Sequence, residues 1–161
     1  MKKFIHIIGD SYEGEKKDGK KHGYGIYYWF DGSKFEGLYK NNLREGYGKM
    51  KWAEGAKFEG YWKENEREGY GKILLSNGNK YEGEYKKSSE DSFGIFTWED
   101  GDKYIGYSKE DSFEGIGVLI FEDGDKFEGE FKKGRRNGIG TFIIKTEINM
   151  KENLKMVKKM E

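Results

Sequence analysis

The sequence predicts an all-β protein: one elongated, twisted, single antiparallel sheet of consecutive β-hairpins, followed by a short C-terminal α-helix. Three observations carry that prediction. An aromatic residue returns every 23 residues, at Tyr12, Phe35, Phe58, Tyr81, Tyr104 and Phe127, with no insertion or deletion between copies. Glycine holds fixed places behind each ring, two positions on (Gly14, Gly37, Gly60, Gly83, Gly106, Gly129) and thirteen positions on (Gly25, Gly48, Gly71, Gly94, Gly117, Gly140). Between these points large and polar residues alternate with period two, which marks strands rather than helices. Self-similarity at a fixed short period marks a repeat array, in which each unit buries its faces against its neighbours.

Taken in order, Lys3–Ile8 fits the same frame as half a repeat and is expected to form a first edge strand, with Phe4 and Gly9 in register. From Tyr12 onward each copy offers a short strand such as YEGEY, a polar link, and a second strand such as GYGKMKW. An acidic or asparagine residue followed by glycine then turns the chain into the next copy, at Asp31-Gly32, Glu54-Gly55, Asn77-Gly78, Asp100-Gly101 and Asp123-Gly124. Glycine takes positive φ without steric penalty, so these pairs suit tight hairpins, and strands joined this closely must be antiparallel neighbours. Alternation puts Phe35, Gly37 and Tyr39 on one face with Gly46, Gly48, Met50 and Trp52 of the partner strand. Glycine weakens strands, so its recurrence beside large rings calls for a steric reason: a ring lying across the bare backbone of the next strand. Two strands per copy advance the sheet by roughly 10 Å, or about 60 Å for the whole array.

The opposite face is polar. Glu13, Glu36, Glu59, Glu82 and Glu128 follow the first ring of their copies, where the fifth copy has Ile105, and Lys34, Lys57, Lys80, Lys103 and Lys126 close successive units. Copies four and five depart from the pattern. Ser92 replaces a recurrent glycine, and Ser108 stands where other copies carry Tyr39, Trp62, Tyr85 or Phe131. The links around Ser88–Asp91 and Glu110–Phe113 also lose the basic residue seen as Lys21, Arg44, Arg67 and Arg136. Such divergence suits either a partner site or simple tolerance. After about Ile144 the character changes. Residues 1–147 are assigned to the array and 148–161 to an amphipathic capping helix, whose Ile148, Leu154, Met156, Val157 and Met160 form an apolar stripe beside four lysines. That helix is expected to cover an edge strand, with pairing to another chain or attachment to a membrane surface as alternatives.

Composition narrows the function. Lys plus Arg equals Asp plus Glu at 30 each, which argues against broad electrostatic attraction to nucleic acid or membrane. With 34% hydrophobic but 17% aromatic residues, the chain suits a thin layer of large rings better than a thick aliphatic core. It has no cysteine, which excludes disulfides, zinc–thiolate sites and a thiol nucleophile. Asp10 and Glu13 arrive before a signal-peptide core could form, and no run approaches the roughly 20 apolar residues of a membrane span. The expectation is a soluble, cytoplasmic protein, with a place at the periphery of a membrane or the cytoskeleton as the alternative. His6 and His22 stand apart without the clustered partners of a metal or nucleophilic site, and the Asp-Gly-Asp turns lack EF-hand spacing. No cofactor, metal site or catalytic residue is expected.

The YEGxY, GxG and DG elements at this spacing resemble MORN repeats (membrane occupation and recognition nexus) over approximately residues 12–144. The resemblance implies an array of consecutive hairpins without enzymatic activity, serving as a scaffold, a dimerisation module or an attachment near membranes or cytoskeleton. In some members of that family a ring-lined groove receives a segment of a partner. Lys16 and Ser108 depart from the family's aromatic positions. The leading expectation is therefore protein binding through Tyr39, Trp52, Trp62, Tyr85 and Trp98. The alternatives are an anionic phospholipid surface met by Lys20, Lys21, Arg44, Arg67, Lys132, Lys133, Arg135 and Arg136, and structural self-association. An RNA-binding sheet is disfavoured by the neutral charge and the abundant surface Glu.

Overall fold

A computed structural model describes residues 9–110 and 112–145. Each copy supplies two strands: β1 (Ser11–Lys17) and β2 (Lys20–Tyr28), β3 (Lys34–Lys40) and β4 (Leu43–Lys51), β5 (Lys57–Lys63) and β6 (Glu66–Leu74). The series continues with β7 (Lys80–Tyr85) and β8 (Phe93–Thr97), β9 (Lys103–Lys109) and β10 (Ser112–Ile120), β11 (Lys126–Lys132) and β12 (Arg135–Ile143). These twelve strands pair in chain order into one sheet, every neighbour antiparallel. The expected all-β hairpin array is what forms. The edge strand expected over Lys3–Ile8 and the helix expected over 148–161 lie outside the described residues.

Two kinds of turn alternate. Between copies, Asp31 and Gly32 sit in a three-residue loop: the Gly32 N–H donates to the Trp29 carbonyl at 3.0 Å, the Trp29 N–H donates to the Ser33 carbonyl at 3.0 Å, and Gly32 has φ +89°. That is a type I turn closed by a left-handed glycine. The Asp31 carboxylate also accepts the Ser33 N–H at 2.8 Å, and Asn77, Asp100 and Asp123 repeat the contact. Within copies the polar link is a two-residue turn with positive φ at both residues, as at Asn41 (+50°) and Asn42 (+74°) and at Glu64 (+50°) and Asn65 (+73°). Both angles suit the primed turn that matches strand twist.

Rings lie on glycine as expected. A Cβ built on Gly48 would stand 2.3 Å from Phe35 Cζ, and one built on Gly71 would stand 2.5 Å from Phe58 Cζ. Phe35, Tyr39, Met50, Phe58, Trp62, Ile73, Tyr81 and Tyr85 form the continuous core. The rings meet edge to face along the array, Phe35 with Tyr39 and Trp62 at 5.3 Å, and Phe58 with Trp62 at 5.2 Å and Tyr85 at 5.1 Å. Such pairs stabilise by about 0.5–1.5 kcal/mol each beyond the area they bury.

Side-chain acceptors tie each copy to the next. Asn42, Asn65 and Ser88 accept the backbone N–H of Lys21, Arg44 and Arg67 at 2.8–3.0 Å, while their own N–H groups donate back to those residues' carbonyls. At the other end of the strands Ser33, Asn79, Asp102 and Asp125 accept the N–H of Ala53, Glu99, Glu122 and Lys145. On the polar face Glu36, Lys49, Glu59, Lys72 and Glu82 follow one another across five strands as direct cross-strand neighbours. Tyr24, Tyr47 and Tyr70 donate their hydroxyls to Glu36, Glu59 and Glu82 of the following copy.

The fourth copy is locally different. Elsewhere a glycine at positive φ, such as Gly46 at +86°, accompanies a register shift between β3 and β4. Ser92 stands at the equivalent place, β8 begins only at Phe93, and the short β7–β8 hairpin pairs Lys80–Gly83 with Gly94–Thr97.

Candidate protein-interaction face

The ring face is where large side chains are presented. Of the five rings expected to contact a partner, Tyr39 is 5% exposed, Trp62 5% and Tyr85 2%; they fill the stack and offer little surface. Trp52 and Trp98 are partly buried at its border, as are Trp29 and Leu75. Burial raises the Tyr39 and Tyr85 hydroxyls well above the ordinary tyrosine value, reinforced at Tyr85 by Glu90, and pushes Tyr81 and Tyr104 up to about 12.

Basic residues expected to meet lipid divide into two groups. Arg44 lies over Trp62 at 4.3 Å and Phe35 at 5.6 Å, and Arg67 over Tyr85 at 4.8 Å and Phe58 at 5.6 Å. Each guanidinium also donates to a backbone carbonyl of the next copy, Asn65 and Ser88 respectively, at 2.8 Å. Lys21 sits over Tyr27 at 4.1 Å. These cations cover the rings they touch. Lys20, Lys132, Lys133, Arg135 and Arg136 are exposed, the last four together around the β11–β12 turn, where Arg136 also lies 5.3 Å from the Phe127 ring.

Sequence reasoning missed what replaces the lost basic residue in copy five. Phe113 occupies the place of Arg44 and Arg67 and stacks on Tyr104 at 3.8 Å with planes 20° apart. Its offset from Tyr104 equals that of Arg44 from Phe35, so the signal lay in the repeat alignment. Next to it Ser108, where the stack would carry another ring, donates its hydroxyl to the Glu90 carbonyl at 2.5 Å. A hollow of about 280 Å³ opens there, bordered by Tyr81, Phe96, Trp98, Tyr104 and Phe113. A second hollow of about 460 Å³ lies between Arg44, Trp52, Arg67 and Leu75.

Nothing in this arrangement converges for chemistry. Among the described residues no cluster of three or more His, Cys, Asp or Glu is placed to hold a metal ion, and His22 is partly buried with Nδ1 lacking a partner. His6 lies outside the described residues. The MORN repeat family profile matches residues 12–34, 35–57, 58–80, 81–103, 104–126 and 127–146, in the register read from the rings and glycines. The chain belongs to the MORN-repeat family. Its MORN repeats are given over to sheet pairing and ring packing, an architecture consistent with a non-enzymatic protein. No curated protein sequence matches it closely enough to count as a relative. Among solved structures it is similar to the TCP domain of SAS-4 (dCPAP) of Drosophila melanogaster, in complex with a proline-rich motif of Ana2 (dSTIL). That likeness has a TM-score of 0.46 and 17% identity, over 76% of this chain and 73% of that one.

Proposed function

We propose that this MORN array is a scaffold that holds a segment of a partner protein on its ring face, anchored by a large apolar side chain entering the hollow beside Ser108. The observation that carries the reading is the missing ring. Tyr39, Trp62, Tyr85 and Phe131 each fill this position with an aromatic side chain, whereas Ser108 leaves about 280 Å³ among Phe96, Trp98, Tyr104 and Phe113. A concave space bordered by five rings, with Glu90 and Ser108 at its edge, suits a large side chain that is mostly apolar, and contacts of that kind concentrate binding energy. The contact surface expected over Tyr39, Trp52, Trp62, Tyr85 and Trp98 is thereby narrowed to Trp52 and Trp98, with the buried Tyr39, Trp62 and Tyr85 acting as their support.

Comparative recovery of partners by the intact chain, Ser108→Tyr, Trp98→Ala and the polar-face control Tyr47→Ala tests this reading, once each is shown to be folded. A partner recovered by the intact chain and Tyr47→Ala but lost with Ser108→Tyr and Trp98→Ala supports it. Equal recovery by all four overturns it. Anionic phospholipid is the competing reading for Lys132, Lys133, Arg135 and Arg136, the cations exposed together. Salt-sensitive vesicle binding that is lost on reversing those four charges, with ring substitutions harmless, would favour it.

A further inference from the structure

The face turned away from the rings changes character part-way along the sheet. From β2 to β7 it carries the Glu–Lys ladder and the Tyr–Glu pairs, including Tyr47 with Glu59 and Tyr70 with Glu82, with Leu38 and Tyr61 exposed beside them. In the next pair both partners change together: Phe93 replaces the tyrosine and Ile105 the glutamate. Replacing both members of a hydrogen bond by apolar groups is close to neutral for folding, so the sheet does not need this surface to be apolar. Yet apolar it is. Ile95 faces Ile105, Ile105 faces Val118 and Phe93 faces Tyr107 across β8, β9 and β10. Ile116 is 73% exposed and Tyr107 57%, and Phe93 and Ile95 are also exposed.

Charge frames the patch unequally. On one side Glu82 stands opposite Ile95, and on the other Glu128 stands opposite Val118 and Glu130 opposite Ile116. None of these three carboxylates makes an ion pair among the described residues. Lys103 and Lys126, either side of Ile120, close one end of the strip. Two copies of the chain packed face to face about a two-fold axis along or across the strands would set carboxylate against carboxylate, which like-charge repulsion disfavours. An apolar segment with basic side chains on both flanks pairs with every one of those carboxylates.

We propose that the β8–β10 surface opposite the rings is a second docking face, fitted to a short amphipathic segment of another protein whose apolar side is flanked by Lys or Arg. This site is independent of the ring-face reading, since the two lie on opposite sides of the sheet and share no side chain.

The test uses the full-length chain and two synthetic amphipathic peptides of equal length, one built of Leu and Lys and one of Leu and Glu, with backbone amide resonances followed by NMR. Addition of the Leu/Lys peptide should shift the amides of Phe93, Ile95, Tyr107, Ile116 and Val118, while the Leu/Glu peptide leaves them in place. Glu82→Lys combined with Glu128→Lys and Glu130→Lys should reverse that preference, and Ile116→Glu should weaken Leu/Lys binding at least tenfold. Ring-face substitutions such as Trp98→Ala should leave binding unchanged. Equal response to both peptides, or none, overturns the proposal. So does movement of the same amides on dilution, which would assign the face to a second copy, or on removal of residues 146–161, which would assign it to the chain itself.

Discussion

Gly71→Ala is a sharp perturbation of the array. The new Cβ would lie 2.5 Å from Phe58 Cζ and 2.6 Å from its Cε2, with the Glu59 carbonyl oxygen at 3.4 Å. Carbon atoms rest about 3.5–4.0 Å apart, so the ring must retreat by about 1 Å. It has nowhere free to go: Phe58 is 1% exposed and held edge to face by Trp62 at 5.2 Å and Tyr85 at 5.1 Å. Overpacking costs about 1–3 kcal/mol, and partial loss of two ring pairs adds about 1 kcal/mol, so a destabilisation of about 2–4 kcal/mol is expected. Urea unfolding followed by far-UV circular dichroism and tryptophan fluorescence measures it, with exposed Lys72→Ala as a neighbouring control expected to change stability by about 0.5 kcal/mol or less. Shrinking the ring relieves the clash, so Gly71→Ala with Phe58→Val should cost at least about 1 kcal/mol less than the two single changes summed. A Gly71→Ala protein as stable as the control, or strict additivity with Phe58→Val, would refute the claim that glycine is there to seat the ring.

Asn65→Ala removes both the acceptor for the Arg44 N–H and a side chain tolerant of φ +73°, and should lower stability by about 1–2 kcal/mol; Asn65→Gly, which relieves the angle but not the bond, should lower it by less, read from the same urea curves. Ala56 is the one residue of its series without a side-chain oxygen, where Ser33, Asn79, Asp102 and Asp125 accept from the next copy, so Ala56→Ser should raise stability by about 0.5–1.5 kcal/mol in thermal and urea unfolding. Tyr81 and Tyr104, raised to about 12 chiefly by burial, stabilise the fold fully below the unfolded tyrosine value of about 10 and lose that contribution as pH rises towards 12; tyrosinate absorbance in that window should appear together with loss of β-sheet dichroism. At the acid end, Lys34 and Tyr24 hold Glu36 below its ordinary value and Tyr47 and Lys49 do the same for Glu59, so their small contribution is present above about pH 4.3 and fades as pH falls through the lowered values, which carbon-detected NMR titration of the two carboxyls would follow.

The sheet was legible in the sequence because its two periods, 23 and 2, each have a steric meaning. Phe35 and Gly48 are thirteen positions apart in every copy since one lies on the other. The turns within copies were less legible, because Asn41-Asn42, Glu64-Asn65 and Lys87-Ser88 contain no glycine; the clue was Gly19 and Gly134 at the position of Asn42 and Asn65 in other copies. Depth of burial was not legible at all. Alternation assigns Tyr39, Trp62 and Tyr85 to the ring face, but whether a ring on that face meets solvent depends on its neighbours. Each of these is enclosed by rings of its own and the preceding copy, as Trp62 is by Phe58 and Phe35. Arg44 and Arg67 read as surface charge for the same reason, since nothing local reveals that a guanidinium lies over a ring from the next copy.

The energetic unit of the array is therefore not the sequence repeat. Many side-chain bonds run from the second strand of one copy to the first strand or turn of the next: Tyr47 to Glu59, Arg44 to Asn65, Glu45 to the Glu64 amide. Stability in such an array is a sum of intrinsic and nearest-neighbour terms, and these bonds belong to the neighbour term. A change at one side of a junction then costs least when it is matched by a change across it. Copies four and five show one such pair across their junction, Phe93 arriving with Ile105, and one within copy five, where Ser108 arrives with Phe113 stacked on Tyr104. Paired replacement keeps the sheet continuous while altering what both of its faces present, so a repeat protein built this way can acquire binding surfaces at a junction without weakening the ladder that carries them.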